Sequence, residues 1–201
     1  MLSRRQTLLG LISLVGSSGL ATAASPSQSP GYVLDLASTE VKFGFLLNGI
    51  LQNGTMPIAR SKIELDPGQL AATRVSVSLD ASAAKTGLIF VTKAMTSADI
   101  LNVAKFPTIH FATRGVILGP NGRLSNGAEL TGDLTLRGVT QPLSLAVALY
   151  RRPGSAVDDL SRLDFTLRGE LSRAAFGASG YARLVDDRIR LDIHASLQQV
   201  T

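Results

Sequence analysis

From Thr39 onward, apolar residues recur at every second position of the chain. This spacing places them on one face of a β-strand and leaves the polar residues on the other face. In the clearest row, Ile189, Leu191 and Ile193 alternate with charged side chains and with His194. Further rows lie at 41–47, 75–79, 109–111, 134–136, 143–149 and 163–167, with a less regular stretch at 56–65. Together these rows predict about eight strands.

Clusters of Gly, Asn, Asp and Pro separate the rows and predict tight turns between consecutive strands. They lie at Asn53-Gly54, 66–68, 119–122, 138–142, Pro153-Gly154 and Asp186-Asp187. Residues 86–104 lack the alternation and end just before Phe106-Pro107, which predicts a short helix between the third and fourth strands.

An antiparallel, all-β chain of this kind can bury its apolar faces in a two-sheet sandwich or in a closed barrel. The interior of a barrel of about eight strands holds either packed side chains or one slender ligand. The pattern alone therefore leaves open whether the interior is a filled core or a cavity.

The first residues have the three parts of an export signal. Arg4 and Arg5 begin it, Leu8–Leu20 is apolar, and residues 21–23 form an A-x-A cleavage site. The apolar run is too short to cross about 30 Å of hydrocarbon, and residues 3–9 resemble a twin-arginine signal. We therefore predict a signal peptide over 1–23, a flexible lead over 24–31, a barrel domain over 32–201, and a periplasmic or secreted location.

Composition argues against most catalytic and metal sites. The chain has no cysteine and only two histidines, His110 and His194, both on the polar face of their predicted strands. Nucleotide-binding and nucleophile-elbow motifs are missing from the sequence. The net charge of +5 is dispersed, which is unlike a nucleic-acid footprint. We predict a protein without catalytic residues, metal or nucleic-acid partner; a hydrolase or isomerase using His110, and a cation site at Asp186-Asp187, are the alternatives.

Four segments carry a further signal. Residues 132–143 read GDLTLRGVTQPL, 106–111 read FPTIHF after TSAD at 96–99, 172–177 read SRAAFG, and 32–43 read YVLDLASTEVKF. They resemble four motifs of the YceI-like family of exported lipid-binding proteins. In the order in which the segments are given, these motifs are G-D-L-T-x-x-G-V-T-x-P-V, a helix followed by F-x-x-x-x-x-P-x-I-x-F, R-x-x-F-G, and W-x-I-D-x-x-H-S-x-V-x-F. The chain departs from that pattern at Tyr32 (usually Trp), Ala37 (His), Leu47 (His) and Ile100-Leu101 (a Phe pair).

The resemblance implies an eight-stranded lipocalin-like barrel that encloses a long isoprenoid or fatty chain in an apolar tunnel. The function it implies is periplasmic binding, transport or storage of a quinone-like isoprenoid or a fatty lipid, with that lipid as ligand rather than as a catalytic cofactor. A membrane redox protein and a second copy in a homodimer are the further partners that this function allows. The alternative is an exported, non-enzymatic binding module with a filled core that acts through its loops.

The residues that we predict to contact the lipid share the inward face of the strands or lie in the helical segment. They are Phe43, Phe45, Val77, Leu79, Phe90, Met95, Ile109, Phe111, Leu134, Leu136, Leu145, Val147, Phe165, Leu167, Ile189 and Leu191. Phe90 and Met95, with Leu101, are expected to form a lid over one end of the barrel.

Overall fold

A computed structural model describes residues 31–123, 126–150, 154, 156 and 159–200. The predicted signal peptide and residues 24–30 of the predicted lead lie outside the described residues. The described strands belong to one antiparallel sheet. They are β1 (Gly31–Leu34), β2 (Glu40–Leu47), β3 (Ile50–Thr55), β4 (Ile58–Glu64), β5 (Arg74–Asp80), β6 (Lys85–Thr86), β7 (Thr108–Leu118), β8 (Ala128–Leu136), β9 (Val139–Tyr150), β10 (Arg162–Ser172) and β11 (Arg188–Val200).

The sheet curls into a barrel because its two ends are joined by one bent run of chain, residues 50–64. The first half of this run, β3, pairs with β2, and the second half, β4, pairs with β5 at the far side of the sheet order. The bend falls at Met56-Pro57, where the Met56 N–H still donates to the carbonyl of Val41 at 3.1 Å. Proline has no N–H to continue the ladder, so the strand leaves β2 at this point.

The prediction of an antiparallel, lipocalin-like barrel is confirmed, although the described residues form eleven strands instead of the predicted eight. The difference comes from strands that share one position around the barrel. β1 and β2 pair with different halves of β11 on the same side, β3 and β4 are one bent run, and β6 is a two-residue strand beside β3.

The predicted turn at Asn53-Gly54 is wrong, because these residues lie inside β3. The turn between β2 and β3 is instead Asn48-Gly49, with φ of +50° and +78°. Positive φ at both central residues is the geometry that Asn-Gly favours in two-residue hairpins. Gly54 is required for another reason: a Cβ there would overlap the ring of Phe43.

The predicted helix is present between β5 and β7 but is shorter than residues 86–104. Helix α1 spans Ile89–Thr96. The backbone of Ser97 is extended, and its hydroxyl donates to the carbonyl of Ala94 at 2.7 Å. A side chain that satisfies the last carbonyls in this way competes with helix continuation, and turns follow as far as Phe106.

The strand directions define two ends of the barrel. We call the helix end the one that carries α1, the Asn48-Gly49 turn, the Arg137-Gly138 turn and the connection 173–187. Residues 65–73, 119–123 and 126–127 lie at the opposite end. Within the described part of the chain, every helix is too short or too polar to cross a membrane.

Candidate functional site

The inside of the barrel holds a cavity of about 440 Å³. Its wall extends from Leu47 and Met95 at the helix end to Thr73 and Leu118 at the opposite end. A volume of this size lies within the range of pockets that bind small molecules, roughly 300–1,000 Å³. Among the described residues of the wall, the polar side chains are Thr39, Thr73, Tyr181 and Arg173, and the rest are apolar. The cavity therefore offers burial to a hydrocarbon and few partners to a polar solute.

Strand register places the apolar rows side by side on this wall. Cross-strand pairs that join wall residues include Leu191–Phe43, Ile63–Val75, Val77–Phe111, Leu79–Ile109, Phe111–Leu134, Leu130–Leu145, Val147–Leu167 and Leu167–Ile193. Because side chains alternate across each strand, the polar partners of these rows face solvent. One inward face is thus continuous around the barrel.

All sixteen residues that the sequence singles out lie on this wall. The strands contribute Phe43, Phe45, Val77, Leu79, Ile109, Phe111, Leu134, Leu136, Leu145, Val147, Phe165, Leu167, Ile189 and Leu191, and α1 contributes Phe90 and Met95. Their contact with a lipid stays a prediction.

Other wall residues continue the same rows but were not singled out. Val41, Val75, Leu171 and Ile193 are examples on β2, β5, β10 and β11. Val41, Val75 and Ile193 already belong to the alternating rows of the sequence, and extending the β10 row to the end of its strand would have added Leu171. Leu149, which belongs to the β9 row, packs instead with Leu163 and Phe165 in a second cluster of buried residues.

Two aromatic residues of the wall are accommodated by glycines on the next strand. A Cβ on Gly54 would overlap the ring of Phe43, and a Cβ on Gly132 would overlap the ring of Phe111. Each ring thus lies against the neighbouring backbone. Phe43 also stacks on Phe45, with ring centroids 6.3 Å apart.

The cavity opens to solvent at the helix end. The most exposed of the described wall residues are Phe90, Tyr181 and Leu184, at 67%, 45% and 46%. All three lie at this end, Phe90 on α1 and the other two on the connection 173–187. We call the gap between these two elements the mouth. The predicted lid differs in one residue from what was expected. Met95 and Leu101 are buried beneath α1, whereas Phe90 is exposed at the mouth.

Arg173 shapes one side of the mouth from a buried position. Its Nη1 donates to the carbonyls of Ala178 and Gly180, its Nη2 to that of Val185 at 2.8 Å, and its Nε to that of Asp186 at 3.0 Å. A planar guanidinium has five donors in a fixed arrangement, so this one side chain ties together residues 178–186 of the connection. Arg173 belongs to the R-x-x-F-G segment of the sequence, but it is not among the residues predicted to form the site.

The carboxylate of Asp187 holds the start of the same connection. It accepts a hydrogen bond from Ser172 and another from the Ala174 N–H at 2.8 Å. These hydrogen bonds, that of Ser172 first, lower the pKa of Asp187 below its ordinary value. Asp187 thus has a structural role here, and the described residues contain no group of three or more His, Asp or Glu side chains able to hold a metal ion.

The two histidines lie off the cavity wall. His110 Nδ1 is 3.1 Å from the hydroxyl of Ser78, and His194 Nε2 is 3.9 Å from Asp164. Both are on the faces of β7 and β11 that point away from the lumen. Neither histidine is placed to act on a molecule inside the barrel.

A model of the YceI-like domain matches residues 32–197. The chain belongs to the YceI-like family. Protein YceI of Escherichia coli O17:K52:H18 is 29% identical over 201 residues, covering 98% of this chain and 93% of that protein. Among solved structures, Burkholderia cenocepacia BcnA matches with a TM-score of 0.69 at 17% identity, over 82% of this chain and 99% of BcnA. A polyisoprenoid binding domain from Saccharophagus degradans matches with a TM-score of 0.61 at 11% identity, over 85% of this chain and 99% of that domain.

The positions at which this YceI-like chain departs from the family pattern now have a place in the structure. Leu47, Ile100 and Leu101 lie on the cavity wall. They are aliphatic where the family pattern has histidine or phenylalanine, which makes this wall less polar and less aromatic. Tyr32 is buried at the opposite end, where its hydroxyl donates to the carbonyl of Leu160 at 2.8 Å and burial raises its pKa.

Proposed function

We propose that this protein binds a long-chain isoprenoid, quinone-like or fatty lipid in the barrel cavity and carries or stores it in the periplasm. The observation that carries the proposal is the apolar cavity of about 440 Å³ with a mouth at the helix end. The YceI-like family and the structural likeness to a polyisoprenoid binding domain favour the isoprenoid class. The periplasmic location depends on the signal peptide predicted over 1–23.

The wall favours a ligand that binds by its hydrocarbon chain. Each CH₂ group moved from water into an apolar site contributes about 0.8 kcal/mol, so about ten buried carbons contribute about 8 kcal/mol. The costs of immobilising the chain reduce that figure. A ligand held in this way needs no charged group to anchor it. The described residues of the cavity wall include a single charged side chain, Arg173, and its donors are already bound to backbone carbonyls.

Two alternatives are less well supported. A filled-core binding module is disfavoured by the cavity, because packed protein interiors have few voids larger than a water molecule. A hydrolase or isomerase that uses His110 is disfavoured by the position of that residue on the outer face of β7. The described wall residues include neither a histidine nor a carboxylate that could transfer a proton.

Native mass spectrometry of the mature protein, purified without detergent, tests the proposal together with solvent extraction of the same sample. We expect a mass increase of one lipid per chain and an extracted species with an isoprenoid or acyl chain. Incubation of the stripped protein with a long-tailed ubiquinone should restore the increase. The proposal fails if the purified protein has its bare mass, the extract contains no long chain, and ubiquinone does not bind.

The same spectra report whether the protein is a homodimer. A quinone in the extract would make a membrane redox protein the expected donor or acceptor.

A further inference from the structure

Exposed apolar side chains surround the mouth of the cavity. We call them the mouth rim: Ile50, Leu51, Leu88, Ile89, Phe90, Tyr181 and Leu184. Ile89 is 90% exposed, although isoleucine is among the residues most often buried in folded proteins. Contiguous exposed apolar surface of this kind marks a protein or membrane interaction site.

Hydrogen bonds fix the three segments of the mouth rim next to one another. The Asn48 N–H donates to the carbonyl of Leu184 at 2.8 Å, which joins the β2–β3 turn to the connection 173–187. Pairing of β6 with β3, at Gly54–Thr86, brings the start of α1 to the same place. The hydroxyl of Thr86 donates to the carbonyl of Leu88 at 2.9 Å, just before Ile89 and Phe90. The rim is therefore a built surface rather than a set of isolated residues.

The charges beside the mouth rim are mainly positive, since Asp186 and Asp187, which lie beside Leu51, are accompanied there by Arg188 and Arg190. Segments 47–51, 85–93 and 181–185 contain Lys85, Lys93 and Arg183 and neither Asp nor Glu. Lys93 follows Ile89 by four residues and shares its face of α1. All three basic residues are exposed, and within the described part of the chain none forms an ion pair. On the outer face of β4, by contrast, Lys62 Nζ forms an ion pair with Glu64 Oε1 at 2.6 Å.

We propose that the mouth rim docks on a membrane surface that contains anionic phospholipid. This inference rests on the proposed function, because the lipid would enter and leave through the same mouth. Apolar side chains with flanking Lys and Arg insert at the boundary between headgroups and acyl chains and attract anionic lipid. With the mouth against the bilayer, a hydrocarbon chain moves between membrane and cavity without full exposure to water. A protein partner could bind an apolar surface anywhere on the barrel, whereas transfer of a lipid from a membrane requires the apolar surface to surround the mouth.

Vesicle co-sedimentation of the mature protein tests the docking surface. The vesicles are phosphatidylcholine alone, or phosphatidylcholine mixed with phosphatidylglycerol. The rim variants are Ile89→Glu and Lys93→Glu. Their matched controls are Ile117→Glu, at an equally apolar position 61% exposed on the outer wall of β7, and Arg123→Glu at the opposite end of the barrel. Circular dichroism checks that each variant is folded.

We expect the wild type to sediment with the mixed vesicles, much less with phosphatidylcholine alone, and less at high salt, which screens exposed charges. Ile89→Glu and Lys93→Glu should each reduce the bound fraction several-fold, whereas the controls should match the wild type. The docking proposal is overturned if the wild type stays in solution with mixed vesicles, or if the controls lose as much binding as the rim variants. It is also overturned if the rim only joins two copies of the chain, so that the rim variants change the oligomeric state and not vesicle binding.

Lipid extracted from the same preparations separates the two proposals. Lipid that is retained while vesicle binding is absent overturns docking and leaves the proposed function standing. Vesicle binding without any extracted or added lipid in the cavity leaves docking standing and overturns the proposed function.

Discussion

The ring of Phe43 occupies the space beside Gly54 on the neighbouring strand, where the two residues are cross-strand partners. The carbonyl of Lys85, on β6, closes the same space from the other side. A glycine in the interior of a strand weakens it in isolation, but here it lets a wall aromatic lie against the backbone. The pair thus connects the packing of β2, β3 and β6 to the shape of the cavity.

Replacement of Gly54 by alanine should therefore destabilise the protein. We expect Gly54→Ala to lower the free energy of unfolding by about 1–3 kcal/mol, because the new methyl group must displace Phe43 or the β6 backbone. Gly87→Ala is the matched control, since nothing lies within 4 Å of its Cβ position, and it should change stability by less than about 0.5 kcal/mol. Urea denaturation measures both; equal effects would contradict this account of Gly54.

A bulky residue on the cavity wall should block lipid uptake. Val147 faces the cavity and Ala148, the next residue of β9, faces solvent. We expect Val147→Trp to abolish retention of the extracted lipid with little loss of stability, because the ring enters open space. In a filled core the same change would cost about 1–3 kcal/mol. Ala148→Trp should keep the lipid. The natural chain has no tryptophan, so the fluorescence of each variant also reports whether its single indole is buried.

Loss of the Arg173 guanidinium should loosen the mouth. Arg173→Met leaves the buried carbonyl of Ala178 and three partly buried carbonyls without this donor, and a fully buried group of this kind costs roughly 1–3 kcal/mol. We expect the free energy of unfolding to fall by about 3 kcal/mol or more, and hydrogen exchange in residues 178–186 to accelerate. Arg183→Met removes an exposed arginine of the same connection and should leave both measurements near the wild type. Unchanged exchange in the Arg173 variant would show that the connection is held by other contacts.

Asp187 should make stability depend on acid pH. Because its folded pKa is lowered from the ordinary 3.8, mainly by Ser172, the carboxylate stabilises the fold fully above the unfolded pKa and loses this effect as the pH falls through the folded pKa. We expect Asp187→Asn to be less stable than the wild type at neutral pH, with a difference that shrinks below pH 4. Ser172→Ala should show a smaller loss with the same trend. A difference that stays constant down to strongly acid pH would contradict the assigned cause.

The alternating rows were sufficient to predict antiparallel strands and their inward face, because side-chain direction in a strand depends only on position. The choice of a barrel over a sandwich came from the resemblance to the YceI-like family. Turn placement was less certain from sequence. Two Asn-Gly pairs follow the first row, at 48–49 and 53–54, and both satisfy the same local turn preference. In the structure the second pair lies inside β3, where Gly54 fits against the Phe43 ring, and that is a contact between different strands.

The mouth could not be predicted from the pattern. Arg173 is charged, so an apolar period gives no reason to place it beside the lumen, and its role depends on carbonyls up to thirteen residues away. The exposure of Phe90 depends on where α1 begins, which Leu88 and Thr86 determine through backbone and hydroxyl hydrogen bonds. Such features follow from tertiary placement rather than from local composition.

Gly31 pairs with Val200 at the end of the barrel away from α1. An affinity tag or fluorescent protein fused beside either residue would be joined to the barrel on the side remote from its entrance. Surface immobilisation through such a fusion would present every molecule in one orientation, with its opening towards the sample.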